Sequence, residues 1–357
     1  MNDKNLVISY PRMGNYHILL EKSLKILFPD ANILTPPQMS ARTLEIGTRH
    51  SSENVCAPFK YNIGNFVEVL DMGANVLAQT GLGCIFGYYG ELQEQILKDL
   101  GYEFDFLCFS QGKAAMQTAF ATYKKLGGKH SFATLAKASF YTLSGMHIMD
   151  KLEYKMRENM TFEAQAGDHE SWHHKFLDDL RTVSLVKTPT LWHHYKKKLD
   201  SIELSKSCDQ LRIGLVGELF TMMEPFSNFN LEKELASAGC SVSRKMNASL
   251  LVFSRKAKSL AGSDGYLTRL PGANGADTIA QTLSYAKQGY DGVIHMKSFG
   301  CTPEINIMPA LNKLSHDMNL PVLHLSFDTH TGEAGLQTRL EAFVDMLRMR
   351  KMGGALC

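Results

Sequence analysis

Along the first third of the chain, short apolar runs alternate with longer stretches whose apolar residues recur every three to four positions. Residues 6–11 (LVISYP), 75–80 (NVLAQT) and 104–109 (FDFLCF) are the short runs. Residues 16–28, 56–73 and 89–101 carry the helical spacing, and the last of these ends on Gly101, a residue suited to a helix C-terminus. Strand-sized runs separated by amphipathic helices predict βα units and a mostly parallel sheet. From about Lys113 to Leu199 the pattern changes to long polar–apolar repeats of helix formers, with no strand-like run. Residues 137–160 predict one long helix, interrupted at Gly145. The alternation resumes with a strand at 211–218, a helix around 229–239 and the apolar run ASLLVF at 248–253. A helix at 278–289, a strand at 291–296 and a helix at 304–317 follow, then a strand at 321–327 and a closing helix over 335–348. The expected fold is α/β: two open, mostly parallel-sheet domains of the Rossmann or flavodoxin-like kind, with a helical middle region. The boundaries expected are 1–125, 126–208 and 209–357.

Composition narrows the class without revealing chemistry. A chain of 357 residues, 44% of them apolar, can bury more than one core. Its 38 basic and 36 acidic side chains leave a net charge of +2, too balanced for the basic field of a nucleic-acid partner. The opening MNDKNLVISYP has no apolar signal-like core, and no run approaches the length of a membrane span. Seven cysteines, odd in number and widely scattered, suit a reducing compartment better than a disulfide scaffold. These features lead us to expect a cytoplasmic protein. The glycines at 81–83 lack the remaining spacing of a dinucleotide loop, and GxxxxGK[ST] does not occur, so any nucleotide hydrolysis would fall to a partner.

Three cysteines share a type of setting. Cys84 follows the 75–80 strand in a glycine turn, and Cys301 follows the 291–296 strand between Gly300 and Pro303. Cys56 stands among polar residues at a helix entrance, two residues before Pro58. Ligands of open α/β sheets gather beyond the carboxyl ends of the strands. Three thiolates converging there would suit an iron–sulfur cluster or zinc. The spacings of 28 and 217 residues match no compact metal signature, so loop cysteines without a common partner remain the competing reading. Cys108 and Cys240 read as packing residues.

Several blocks in order resemble the 2-hydroxyacyl-CoA dehydratase family: CAPFKYNIGNF, GCIFGYYGELQ, GLVGELF with EPFSNF, FGCTPE, and HLSFDTHTGEAGLQTRLEAFVDML. The resemblance runs from about residue 5 to 348, is weakest through the middle, and is closest to the activase-associated and double-cubane branches. It implies an oxygen-sensitive iron–sulfur protein with cluster ligands at Cys56, Cys84 and Cys301. The cluster would be a [4Fe-4S] cubane or a double-cubane cluster, and three cysteines per chain favour one cubane. It further implies a homodimer and a separate ATP-hydrolysing activase of actin/Hsp70-like fold as electron donor. The reaction implied is a dehydratase-like or small-molecule reductase step. Relatives often carry arginine directly after the second cysteine; here Ile85 stands there, which weakens the case for CoA thioester chemistry.

His295, Glu304 and His330 are the candidate catalytic groups. His295 ends a strand near Cys301 and would donate to the cluster, pass a proton, or simply be buried on backbone. Glu304 suits capping of the helix that starts beside it, or catalysis. His330 lies with Asp328 and Glu333 in a polar block that suits a hard metal or a proton relay. Lys60, one turn after Cys56, would offset negative charge or be solvated. His173-His174 and His193-His194 read as surface or interdomain groups. Two other classes of function fit the same residues: an electron-transfer scaffold without turnover, and a zinc protein with His295 as a fourth ligand.

Overall fold

The computed structural model describes residues 5–80, 89–109, 113–129, 131–184, 187–205, 210–253 and 262–354. The chain divides into two compact units. One comprises Met1–Gly145 with Arg181–Thr188, the other Met146–Leu180 with Pro189–Cys357. Each holds a four-stranded sheet whose described strands are all parallel, which makes the fold α/β with two parallel-sheet domains.

In the first unit the strands are β1 (Val7–Ser9), β2 (Asn32–Ile33), β3 (Val76–Thr80) and β4 (Asp105–Phe109), in the order β2-β1-β3-β4. Alternating side chains serve opposite faces. Val76 joins Ile8, Leu24, Phe28 and Leu107 in one core. Its neighbour Leu77 joins Phe59, Ile63, Phe66 and Leu97 in another. A strand buried on both sides reads as an unbroken apolar run, which is why 75–80 was recognisable. β2 has two residues and no pattern to read. The helix Ala41–His50, also unforeseen, begins in a polar, proline-flanked stretch. Its capping box is Ser40 with Thr43, a threonine in place of the usual Glu or Gln. That helix packs on Ala57–Asp71 at two glycines. A Cβ on Gly47 would lie 1.7 Å from the Lys60 carbonyl oxygen, and one on Gly64 1.9 Å from that of Thr43.

The second unit repeats the strand order with β5 (Leu211–Gly217), β6 (Cys240–Arg244), β7 (Gly292–Ser298) and β8 (Val322–Phe327), arranged β6-β5-β7-β8. Ile213, Leu215, Val242, Ile294, Met296 and Leu325 face Leu336, Leu340 and Phe343 of the closing helix Glu333–Gly354. Val216 and Val293 pack on the opposite side with Tyr285. All seven residues of β7 are buried. The run at 248–253 is helical, Ala248–Phe253. The long helix expected to break at Gly145 instead continues over Phe132–Asn159. A glycine costs a helix only about 1 kcal/mol, and the fully buried Tyr141, Met149 and Leu152 outweigh it.

Candidate functional site

In a sheet ordered β6-β5-β7-β8 the chain leaves β5 toward one edge and β7 toward the other. The crevice beyond their carboxyl ends is therefore the topological switch point. Two loops meet there. After β5, Gly217 adopts φ +134°, and a Cβ on it would sit 1.9 Å from the Met296 carbonyl oxygen. The next N–H, of Glu218, donates to that same oxygen at 2.9 Å. The Glu218 carboxylate accepts from the N–H groups of Phe220 and Thr221 at 2.7 and 3.0 Å. Burial raises its pKa, against those bonds, and the nearby Glu304 adds to the rise.

After β7 the chain turns at Phe299-Gly300 into the 16-residue helix Thr302–Asp317, with Cys301 at its N-cap and Pro303 in its first turn. The Cys301 N–H donates to the Ser298 carbonyl at 3.0 Å, and its half-buried side chain does not cap the helix. An uncapped helix N-terminus keeps its positive end available to an anion such as a thiolate. Lys297, 5% exposed, lies on the same strand end. Burial lowers its pKa, while Cys301 and Glu304 act the other way. Its ammonium makes no hydrogen bond or ion pair with the described residues; the Phe299 ring centroid is 5.9 Å away.

Behind Cys301 runs a chain of polar contacts. His295 Nε2 lies 3.0 Å from Glu304 Oε2, and His295 Nδ1 lies 2.9 Å from His324 Nδ1. His324 Nε2 lies 2.8 Å from Asn312 Oδ1, and the Thr278 hydroxyl donates to Glu304 at 3.1 Å. His295, Glu304 and Thr278 are buried, His324 is half-buried, and Asn312 is exposed. His295 is thus paired with side chains, not with backbone. Glu304 is not a cap: its carboxylate turns to His295 and Thr278, while the N-cap N–H goes to Ser298. Burial, with His295, Lys297 and Arg339 nearby, lowers the His324 pKa to about 4.

The pairing of the two histidines is dictated by register. Parallel β7 and β8 align Val293-Ile294-His295-Met296 with Val322-Leu323-His324-Leu325, residue for residue. The matching pattern of two apolar residues, histidine and apolar residue was the available signal for His324, which the sequence reading passed over. Nothing in the sequence marks Asn312 as the partner of His324, or Thr278 and Glu218 as neighbours of Glu304.

In the first unit Cys56 repeats the setting of Cys301. It is the N-cap of Ala57–Asp71, a 15-residue helix with Pro58 in the first turn, and again no side chain caps it. That helix leads into β3, so its N-terminus lies at the carboxyl end of the sheet. Cys56 Sγ is 3.5 Å from the hydroxyl of Tyr89, whose ring also meets Phe59 edge-on at 4.9 Å. Lys60 is buried rather than solvated, its ammonium 3.8 Å from Glu53. Cys84 and Ile85 lie outside the described residues. Tyr89, the first described residue after them, touches Cys56.

Other candidates separate from this arrangement. His330 stands in an exposed turn whose Asp328 carboxylate accepts the His330 N–H at 2.8 Å and the Thr331 hydroxyl at 2.9 Å. Asp328, His330 and Glu333 are not gathered to hold a metal; among the described residues no three His, Cys, Asp or Glu side chains are. His173 is buried on Glu153 at 3.5 Å and is not a surface group. Among the described residues no helix is long and apolar enough to cross a membrane.

Residues 235–347 match the family model of the 2-hydroxyglutaryl-CoA dehydratase D-component. The matched segment contains β6, β7 and β8, Cys301 and the whole polar chain from Asn312 to Glu304. No curated protein matches the chain.

Proposed function

We propose, on the premise of the 2-hydroxyacyl-CoA dehydratase family that the match over residues 235–347 supports, that this dehydratase-type component holds an iron–sulfur cluster and works on electrons delivered by a separate activase. One observation carries the reading. Cys56 and Cys301 share one local setting, each at the carboxyl end of its own sheet: N-cap of a long helix with proline in the first turn, Cys56 on the helix that enters β3 and Cys301 on the helix that leaves β7. Half-buried thiols at uncapped helix N-termini favour the thiolate, the form that ligates iron, so the donors suit the group. Cys84 completes the set proposed, with Cys56 and Cys301, for a [4Fe-4S] cluster.

Such a cluster would supply low-potential electrons; the protein supplies charge, protons and shelter. Lys297 offsets negative charge beside Cys301. Lys60 does so in the turn after Cys56. Glu304, 3.0 Å from His295, places a group able to exchange protons three residues after Cys301, in the first turn of the same helix. The zinc alternative loses its fourth ligand, because both ring nitrogens of His295 are engaged. We assign the substrate to small molecules reduced or dehydrated with proton uptake, and the activase and a second copy of this chain as partners.

Anaerobic purification with iron and sulfide analysis tests the reading. One cubane gives about four irons per chain, and we expect Cys56→Ala, Cys84→Ala and Cys301→Ala each to lose most of them. Full iron retention in any one variant, or zinc in place of iron, overturns it.

A further inference from the structure

The contacts from Asn312 to Glu304 have a consequence for the position of one proton. A hydrogen bond between two ring nitrogens needs a donor and an acceptor, so the two Nδ1 atoms 2.9 Å apart share one proton. Asn312 presents Oδ1 to His324 Nε2, which makes that nitrogen the donor and leaves His324 Nδ1 as acceptor. His295 Nδ1 then donates. His295 Nε2 and Glu304 Oε2, 3.0 Å apart, therefore hold a second proton between them, as imidazolium with carboxylate or as imidazole with carboxylic acid. In either form the pair carries one proton more than a neutral histidine beside a carboxylate.

Turning the Asn312 amide by half a rotation yields the other consistent arrangement. The amide nitrogen donates to His324 Nε2, His324 Nδ1–H donates to His295 Nδ1, and His295 Nε2–H donates to the Glu304 carboxylate. The two arrangements differ by a single proton. A solvent proton bonds at His324 Nε2, the Nδ1–H of His324 passes to His295 Nδ1, and the Nε2–H of His295 passes to Glu304. Every bond broken is replaced by one formed, and the chain's charge rises by one.

We propose that Asn312, His324, His295 and Glu304 form a proton-loading relay that takes one proton from solvent at His324 and stores it on the His295–Glu304 pair behind Cys301. This rests on the redox role proposed above for that end of the sheet, since reduction of an acceptor there consumes protons.

Burial gives the relay its direction. His295 and Glu304 are sealed, at 0% and 1% exposure, and among the described residues the chain reaches solvent at the His324 end, where Asn312 is exposed. His324 is unsuited to keep a charge: it is partly desolvated and faces His295, Lys297 and Arg339. It passes the proton on. At the inner end Glu304 faces Thr278, which donates to it, together with Lys297 and Glu218. Glu304 sits in the first turn of the Cys301 helix, where a carboxylate is stabilised once its proton has gone. His295 and His324 are positioning groups; Glu304 is the delivering one.

The test reads protons directly on the full chain. Nitrogen-15 spectra of labelled histidines, recorded across the pH range in which the protein stays folded, report each ring's tautomer. We expect His324 to change from Nε2–H to Nδ1–H as pH rises, in the same step in which the His295–Glu304 pair loses its proton. Infrared difference spectra of the unaltered protein should show a protonated carboxyl band falling in that step. Glu304→Gln, whose amide donates to His295 Nε2, should fix His324 as Nε2–H throughout. One tautomer of His324 across the whole range in the unaltered protein, or a switch that survives in Glu304→Gln, overturns the relay. These spectra need neither cluster nor activase, so failure to bind iron would leave their outcome intact. For delivery, His324→Ala should lower turnover at least tenfold, within the usual span of acid–base effects. Added imidazole should restore part of it, and an unaltered rate in His324→Ala overturns delivery.

Discussion

At the scale of single residues, Glu153 is a buried carboxylate outside the candidate site that gathers several cationic partners. Its carboxylate is buried among Arg157, Arg244 at 3.6 Å and His173 at 3.5 Å, while both arginines also reach Glu232. Burial alone would raise its pKa, but Arg157, His173 and Arg244 together hold it well below the usual carboxylate range. Removing the acid leaves two buried guanidinium groups to share the single carboxylate of Glu232. Glu153→Ala should therefore cost about 3–5 kcal/mol in urea unfolding, whereas Glu45→Ala, whose partner Arg49 is equally exposed, should cost less than about 1 kcal/mol. Equal losses in the two variants would refute this assignment. Residue chemistry was unevenly legible in the sequence. Cys56 and Cys301 stood out because Cys-Ala-Pro and Cys-Thr-Pro each open a helix, a local pattern. Glu153 gave no signal, since its arginines lie 4 and 91 positions away and only the folded chain brings the second one close.

At the scale of elements, close approach is bought with glycine. The helices Ala41–His50 and Ala57–Asp71 press backbone on backbone at Gly47 and Gly64, and the second of these helices carries Cys56 at its N-cap. Gly64→Ala would force the pair apart, because the obstructing atom is the Thr43 carbonyl and not a side chain that can swing away. We expect a loss of about 1–3 kcal/mol and weaker iron retention, read by urea unfolding and iron analysis; unchanged values in both would show that the helices yield without consequence. Gly217→Ala should act likewise at the other crevice, where positive φ adds strain to the clash with Met296. Elements buried on both faces, such as β3, β5 and β7, were readable because their apolar runs were long enough. β2 was not, because two residues cannot show a period. The Phe132–Asn159 helix corrects the expected break at Gly145, a case of tertiary burial overriding local preference.

At the scale of the whole molecule, acid should weaken both units. Burial, with Arg12 and Arg181 nearby, lowers the His17 pKa to about 4 despite its bond to the Gly14 carbonyl, and the His324 pKa falls to about 4 in the second unit. Both folded values lie below that of an unfolded histidine, near 6.5. The unfolded chain therefore binds more protons between these limits, and stability falls as pH drops from about 6.5 toward 4. Each histidine contributes at most about 1.4 kcal/mol per pH unit. His17→Phe should flatten that dependence in the first unit alone, as followed by unfolding at stepped pH; an unaltered slope would show that His17 is free to ionise in the fold. The sequence made the repeated α/β pattern legible, yet not that Met146–Leu180 packs with the sheet of β5 to β8. Contacts such as that of Glu153 with Arg244 join positions far apart in the chain and leave no local period.

The same cluster sets an order of events on the ribosome. Glu153 and Arg157 emerge long before Arg244, and 91 further residues must be polymerised before the acid meets its second arginine. At roughly 5–20 residues per second the wait is about 5–18 s. Through that interval the nascent helix carries charges meant for a dry interior, so they stay hydrated and hold back premature collapse. Synonymous codons that slow translation between positions 157 and 244 should lengthen this exposed phase and raise the burden on chaperones.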